Sequence, residues 1–291
     1  MSNYRLRLSL FKDGALAGLV YINIAVFIVV GVYNAIFFLV TNHTPLFFDK
    51  TLALSSSPIE ALKHPWSIIT YMFYHLDFLH ALFNLLVLYW FGVIFVDFFG
   101  NLKLTTMYIA GGIAGGVFYL LAYNSLPLFY DEGPAILLGA SAAIMAITFG
   151  SASFAPNHKI WLMFIGDVRL KYLALTYLVI DLIQIPFGNA GGHIAHLGGA
   201  FVGALWGYIY RKKGQNILIW LEKPLGSIRE ISFKRRRTLK VAYKNPQMQT
   251  KKKQNSKELD ELLDKISQKG FDSLTDAEKD KLFKYKNDLN S

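Results

Sequence analysis

The stretch HLGGAFVGALWG, residues 196–207, places Gly199, Gly203 and Gly207 four residues apart in a segment without formal charge. Residues four apart share one face of a helix, and a stripe of small residues lets a second helix approach closely inside a membrane. We therefore predict a membrane helix packed tightly against a neighbour. A second segment, GASAAIMA at residues 139–146, has the small residues to be that neighbour.

The composition indicates a membrane protein. Hydrophobic residues make up 53% of the 291 residues, with aromatic residues at 15%. A membrane span needs about 20 mostly apolar residues, because lipid offers no partners to the backbone. The predicted fold class is all-α, a polytopic bundle of six transmembrane helices. The six predicted spans are 15–40, 78–98, 104–124, 136–155, 172–188 and 191–210.

The basic residues predict the orientation of the chain. Lysine and arginine are enriched in the cytoplasmic loops of membrane proteins. With the N-terminus inside, only Lys50 and Lys63 fall outside among the loop residues. We therefore expect both termini in the cytoplasm of a multi-pass plasma membrane protein, and the aromatic-rich first loop, 41–77, structured at the outer face. The cytoplasmic set before the tail is Arg5, Arg7, Lys12, Lys103, Lys159, Arg169 and Lys171.

The C-terminal part differs in composition from the rest of the chain. From residue 211 onward there are 21 lysines and arginines against 11 acidic residues, which accounts for the whole net charge of +10. We predict three regions: a membrane domain at 1–213, a basic cytoplasmic linker at 214–256 and a small helical hairpin at 257–291. The linker, with FKRRR at 233–237, suits anionic lipids better than nucleic acid. Thr275 and Glu278 form a predicted capping box in the hairpin.

Four polar residues converge in one predicted layer. Spans two, four and six all enter from the outer face, so Asn84, Ser141 and His196 lie at one depth, about 8 Å below the boundary. His80 lies one helical turn above Asn84. Polar groups at such depth usually face a cavity and mark functional sites. With no cysteine in the chain, hydroxyl, imidazole and carboxylate groups are left for chemistry.

Three short motifs resemble the rhomboid intramembrane serine proteases. GASA at 139–142, AHLGGAFVG at 195–203 and HLDFLHALFN at 75–84 correspond to the family's G-x-S-G, its histidine followed by G-x-x-x-G, and its H-x-x-x-N. The resemblance covers residues 10–210 or so. It implies a Ser141–His196 dyad without a carboxylate, oxyanion stabilisation by His80 and Asn84, and close backbone packing at Gly139, Gly199 and Gly203.

The same resemblance implies what the protein acts on. The substrates would be single-span membrane proteins, cut near the outer end of their span, and no cofactor or metal is expected. Three residues depart from the family pattern: Ala142 replaces a glycine, Met145 replaces a frequent tyrosine, and Ser67 replaces the arginine of a tryptophan-arginine pair. We expect none of these changes to inactivate the protein. The oligomeric state is left open.

Two other functions remain possible from the residues. One is a metal-binding membrane protein or transporter that uses His75, His80, His193 and His196, although these include no carboxylate. The other is an inactive rhomboid-like protein that binds membrane helices. Asp181, in the fifth span, would signal an ion path or, more simply, a carboxylate within a packed interior.

Overall fold

A computed structural model describes residues 14–162, 166–227, 260, 262–268, 270 and 273–289. The helices of the membrane part are α1 Ala15–Thr41, α2 Phe47–Thr51, α3 Pro58–Lys63, α4 Ser67–Thr70, α5 Phe78–Phe99, α6 Asn101–Tyr123, α7 Ser141–Phe154, α8 Leu170–Gln184 and α9 Ala190–Lys213. The short strands are β1 Leu54–Ser55, β2 Ile136–Leu137, β3 Lys159–Leu162 and β4 Gly166–Arg169. Both strand pairs, β1 with β2 and β3 with β4, are antiparallel.

The long helices form a membrane bundle. In the described part of the chain, four helical segments are long and apolar enough to cross a membrane, namely α1, α5, α6 and the segment Leu170–Phe187. Helix α7 is apolar but short, and α9 carries glycines and histidines that lower its hydropathy. Outward-facing residues such as Ile28, which is 55% exposed, are apolar because lipid would surround them. The predicted helical membrane bundle is confirmed.

The fourth span begins later than the sequence predicts. The predicted segment, 136–155, starts with an extended stretch, and α7 itself begins only at Ser141. Ile136 and Leu137 instead pair with β1, and Gly139 has a φ of +104°, which a helix cannot contain. Ser141 therefore lies at the first residue of a helix rather than one turn or more inside it.

Helices α7 and α9 meet along the glycines of α9, which we call the glycine seam (Gly199, Gly203 and Gly207). A Cβ atom at Gly199 would lie 2.0 Å from the carbonyl oxygen of Ala142, and one at Gly203 would lie 2.2 Å from that of Ala146. Gly207 approaches α7 in the same way. These distances leave no room for a side chain, so the two backbones pack directly against each other.

The first loop braces the segment before α7. Ser56 donates its backbone N–H to the Ala135 carbonyl at 2.8 Å, and Ala135 donates back to the Ser56 hydroxyl at 3.0 Å. The Tyr108 hydroxyl of α6 donates to the Met72 carbonyl at 2.8 Å. The loop thus has a structure of its own and is hydrogen-bonded both to α6 and to the segment before α7.

The beginning of the predicted linker is ordered. The first compact unit of the chain runs to Glu230, beyond the boundary predicted at 213. Asn216 accepts a 2.9 Å hydrogen bond from the indole of buried Trp206, and Leu218 is buried in the core. Glu222 forms a 3.5 Å ion pair with Lys103 of α6. Residues 228–256 of the predicted linker lie outside the described residues.

The second compact unit contains a pair of helices. Residues 262–268 and Asp276–Leu289 are helical, and Gly270 ends the first helix with a φ of +81°. Glu278 accepts from the Thr275 backbone N–H at 2.7 Å, as in a capping box, and also pairs with Lys265 at 2.7 Å. This ion pair links the two helices of the predicted hairpin.

Candidate active site

The segment before α7 is held in place by backbone hydrogen bonds. Gly139 donates its N–H to the Tyr71 carbonyl at 2.9 Å, and Ala140 donates to Nε2 of His75 at 3.2 Å. Gly139 needs its positive φ to turn the chain into the helix, which few residues other than glycine adopt. Ser141 follows as the first residue of α7, with only 9% of its surface exposed.

Ser141 is hydrogen-bonded to His196 of α9. The distance between Ser141 Oγ and His196 Nε2 is 2.6 Å, across 55 residues of sequence. His196 lies one turn before Gly199 and Ser141 is the neighbour of Ala142, so the contact of Gly199 with Ala142 brings the two side chains within reach of each other. A serine hydroxyl bonded to an imidazole nitrogen is the arrangement that nucleophilic catalysis uses.

Asp181 completes a chain of hydrogen bonds behind the histidine. Its Oδ1 atom lies 2.7 Å from Nδ1 of His196 and also 2.7 Å from Nδ1 of His193. Asp181 is on α8 and is only 4% exposed. The family resemblance implied a dyad without a carboxylate, whereas the structure places the carboxylate of Asp181 beside His196. The missed signal was a single acidic residue within an otherwise apolar span.

His80 and Asn84 lie beside Gly139 in the segment 138–140 that leads into Ser141, which we call the serine loop. A Cβ atom at Gly139 would lie 2.9 Å from Cε1 of His80 and 3.6 Å from Nδ2 of Asn84. The Asn84 amide also lies 3.2 Å from Nε2 of His75. Both residues of α5 therefore lie against the serine loop. Among the described contacts, neither is hydrogen-bonded to Ser141 itself.

His75 was predicted only as a possible metal ligand, and the structure gives it a different position. It lies in the connection before α5, outside the spanning helices, and is buried. Burial lowers the pKa of His75 to about 4, and the neighbouring His80 contributes to the same shift. A neutral ring matches its environment, because Nε2 accepts the Ala140 N–H and therefore carries no proton.

The group formed by Asp181, His193 and His196 fits two hydrogen bonds better than a bound metal ion. In the part of the chain that the structure describes, Asp181, His193 and His196 form the group with enough potential ligands. Neighbouring ligand atoms on a tetrahedral zinc lie roughly 3.3 Å apart, given Zn–N bonds of about 2.0–2.1 Å. The 2.7 Å separations between nitrogen and oxygen are those of hydrogen bonds. The other two histidines of the predicted metal set, His75 and His80, pack against each other instead.

Two departures from the rhomboid pattern have structural counterparts. The methyl group of Ala142 faces Gly115 of α6, where a Cβ would come within 2.5 Å of it. The extra methyl at 142 is thus accommodated by a glycine on the facing helix. Ser67 is buried, and the adjacent Trp66 donates its indole N–H to the Thr51 carbonyl at 2.8 Å, within the first loop.

Comparison with known proteins relates the membrane part to one family. Residues 62–213, about half of the chain, match the Rhomboid domain family. Residues 245–287 match a family of unknown function, DUF6576.

Three curated relatives have rhomboid in their names. RHOMBOID-like protein 12, mitochondrial, of Arabidopsis thaliana is 31% identical over 68% of this chain and 58% of its own length. Rhomboid protease GlpG of Haemophilus influenzae is 30% identical over 53% of this chain and 73% of its own. Rhomboid protein 1, mitochondrial, of Saccharomyces cerevisiae is 31% identical over 50% of this chain and 42% of its own length. The match thus spans just over half of the Arabidopsis protein and less than half of the yeast one.

Proposed function

The chain belongs to the rhomboid family, and we propose that it is an intramembrane serine endopeptidase with Ser141 as nucleophile and His196 as general base. The observation that carries the proposal is the 2.6 Å hydrogen bond between the Ser141 hydroxyl and Nε2 of His196. A free serine attacks an amide poorly at neutral pH, so a base must take its proton as the bond to carbon forms. The imidazolium then returns this proton to the leaving amine.

The negative charge on the substrate carbonyl needs hydrogen-bond donors. Ser141 begins a 14-residue helix, whose first N–H groups lack partners within the helix and favour an anion. His80 and Asn84, which line the serine loop, would contribute side-chain donors. Each donor of this kind is worth about 3–4 kcal/mol in acyl-transfer sites.

The proposed substrates are single-span membrane proteins cut near the outer end of the span. A regular helix hides its carbonyls in hydrogen bonds, so cleavable segments should contain glycine or proline to open the helix near the cut. We also propose a plasma membrane location with both termini in the cytoplasm, from the distribution of lysine and arginine. Anionic lipids are the proposed partners of the basic segment after residue 227.

The test uses purified full-length protein and a reporter whose transmembrane segment carries glycine and proline near its outer end. Ser141→Ala removes the nucleophile and should reduce cleavage to background. Ser151→Ala is the matched control, since Ser151 is a buried serine on the same helix whose hydroxyl, in the part of the chain that the structure describes, donates to the Ile147 carbonyl of its own helix. This control should cleave like the wild type.

Labelling by a fluorophosphonate gives a second readout that needs no substrate. The wild type and Ser151→Ala should label, and Ser141→Ala should not. Cleavage by Ser141→Ala would overturn the proposal. A wild type that neither labels nor cleaves would favour the inactive, helix-binding alternative, and activity lost on chelation would favour a metal site.

A further inference from the structure

The position of Asp181 in the bundle is costly unless its charge is compensated. A carboxylate at membrane depth loses its hydration, and such residues usually pair with other groups and mark functional sites. Here Oδ1 lies 2.7 Å from Nδ1 of both His193 and His196, and because an ionised carboxylate can only accept, both rings would donate to it. The second oxygen, Oδ2, is buried without a hydrogen-bond partner among the described residues. Within the described part of the chain, the hydrogen bonds to this carboxylate therefore come from the two histidines.

The bond from His196 to Asp181 determines which ring nitrogen carries the proton. An imidazole that donates from Nδ1 keeps its lone pair on Nε2, and Nε2 is the atom that faces Ser141. The opposite tautomer would put a hydrogen on Nε2, where it could not take the serine proton. The bond to Asp181 thus leaves Nε2 of His196 free to accept the proton of the Ser141 hydroxyl.

We propose that Asp181 is a positioning residue for His196, so that the site works as Ser141–His196–Asp181 rather than as a serine-histidine pair alone. This proposal rests on the proposed function. As Ser141 Oγ bonds to the substrate carbon, its proton passes to Nε2 and the carbonyl electron pair moves onto oxygen. When the carbon–nitrogen bond breaks, Nε2 gives that proton to the amine. Nδ1 keeps its own proton throughout, and the negative Asp181 stabilises the imidazolium between the two steps.

His193 has a supporting part in this arrangement. It donates to the same oxygen atom from one helical turn before His196, and its ring is not bonded to Ser141. It therefore holds the carboxylate without taking part in the proton transfer. If Asp181 only fastened α8 to α9, the bonds to His193 and His196 would matter equally. If it positions His196, the bond to His196 matters more, and this difference can be measured.

The first experiment measures the kinetics of Asp181→Asn in full-length protein. The asparagine keeps the shape, loses the charge and can donate to Nδ1, which favours the wrong tautomer. We expect kcat to fall by about 100-fold or more with KM nearly unchanged, since the equivalent change in serine protease triads costs about 10⁴-fold. Asp181→Glu should recover part of the loss. Asp97→Asn, an exposed aspartate on α5, is the control and should retain wild-type kcat.

The second experiment separates positioning from fastening. His193→Phe keeps a ring but removes one donor, and we expect a loss in kcat below about 10-fold, since the Asp181–His196 bond remains. An equal loss in His193→Phe and Asp181→Asn would overturn the positioning role. Nitrogen-15 spectra of labelled histidines, assigned with His196→Gln, should show His196 protonated on Nδ1 in the wild type and no longer in Asp181→Asn. A wild-type ring protonated on Nε2 would also overturn it, even if Asp181→Asn fails to fold.

The outcomes distinguish this inference from the proposed function. If Ser141→Ala is inactive while Asp181→Asn keeps wild-type kcat, the enzyme is a serine protease and Asp181 is only structural. If Ser141→Ala remains active, the proposed function fails, and the role of Asp181 fails with it.

Discussion

The ring of His75 connects two parts of the site. Its Nε2 accepts the N–H of Ala140, next to the nucleophile position, and lies 3.2 Å from the amide of Asn84. A proton on Nε2 would face two donors and would push the serine loop away from α5. The lowered pKa of His75 means that this proton is absent across the physiological range.

At this scale we predict a loss of stability on acidification. The folded pKa of His75 is about 4, below the ordinary value of 6.5. Between these values the unfolded chain binds a proton that the folded protein does not, so stability falls as pH drops from about 6.5 to 4 and changes no further below that. The contribution is at most about 3 kcal/mol. Unfolding in detergent micelles at a series of pH values measures it.

Two glutamine variants isolate this contribution. His75→Gln should flatten the pH dependence of unfolding between about pH 4 and 6.5, because the group that titrates is gone. His43→Gln, in the exposed part of the first loop, should keep the wild-type slope. An unchanged slope in His75→Gln would mean that His75 is protonated normally in the folded protein.

The sequence predicts individual residues of the site unevenly. Ser141, His196, His80 and Asn84 belong to short motifs, so a resemblance can identify them. Asp181 has no motif, and its contact with His196 depends on how α8 is rotated about its axis. Asp181 and His196 are 15 residues apart, with the connection between α8 and α9 in between. The rotation of α8 depends on how this connection and the neighbouring helices pack, and the mostly apolar sequence of α8 does not show it.

Among the elements, α7 and α9 have the closest contact in the bundle. The spacing of glycines along α9 predicts this contact, since three small residues on one face have few other uses in a membrane helix. The beginning of α7 could not be predicted in the same way. Residues 136–155 carry no formal charge and show no break in their composition, and the strand pairing that makes 136 and 137 extended involves residues about 80 positions earlier.

The prediction for the elements concerns Gly203→Ala. The added methyl would lie 2.2 Å from the Ala146 carbonyl oxygen, so α9 would have to move away from α7. We expect a destabilisation of about 1–3 kcal/mol, as for other overpacked interiors, together with a loss of cleavage as the Ser141–His196 distance grows. Unfolding in micelles and reporter cleavage measure the two effects.

Gly31→Ala is the matched control for this variant. Gly31 lies in α1, and a Cβ there would have no atom within 4 Å. Alanine is the better helix former by up to about 1 kcal/mol, so this variant should be as stable as the wild type or slightly more stable. Equal stability of Gly203→Ala and Gly31→Ala would mean that the helices can separate without cost.

For the whole molecule, the site of truncation should decide whether the membrane unit remains stable. A chain ending after Glu230 keeps Asn216 and Glu222, whereas one ending after Lys213 removes both. Loss of Asn216 leaves the indole N–H of Trp206, which is 1% exposed, without its acceptor, at a cost of about 1–3 kcal/mol. The partly exposed ion pair of Lys103 with Glu222 adds little.

We therefore expect the longer chain to unfold and cleave like the full-length protein and the shorter chain to be measurably less stable. Thermal unfolding in micelles and reporter cleavage compare the two truncations directly. The predicted boundary followed the rise in positive charge at residue 211, whereas the apolar run ILIWL at 217–221 was the signal that the packed part of the chain continues further. A stable shorter chain would show that Trp206 finds another partner.

The glycine seam also has a consequence for how the proposed protease could diversify. Because the backbones of α7 and α9 are in direct contact, any side chain at Gly199, Gly203 or Gly207 would move α9 and with it His196. These three positions should therefore tolerate little variation. In the proposed protease, new cleavage preferences would have to arise at a distance from the seam, in the outer loop and at positions of α5 and α8 other than His80, Asn84 and Asp181. The seam and these three residues would stay fixed while the surface around them changes.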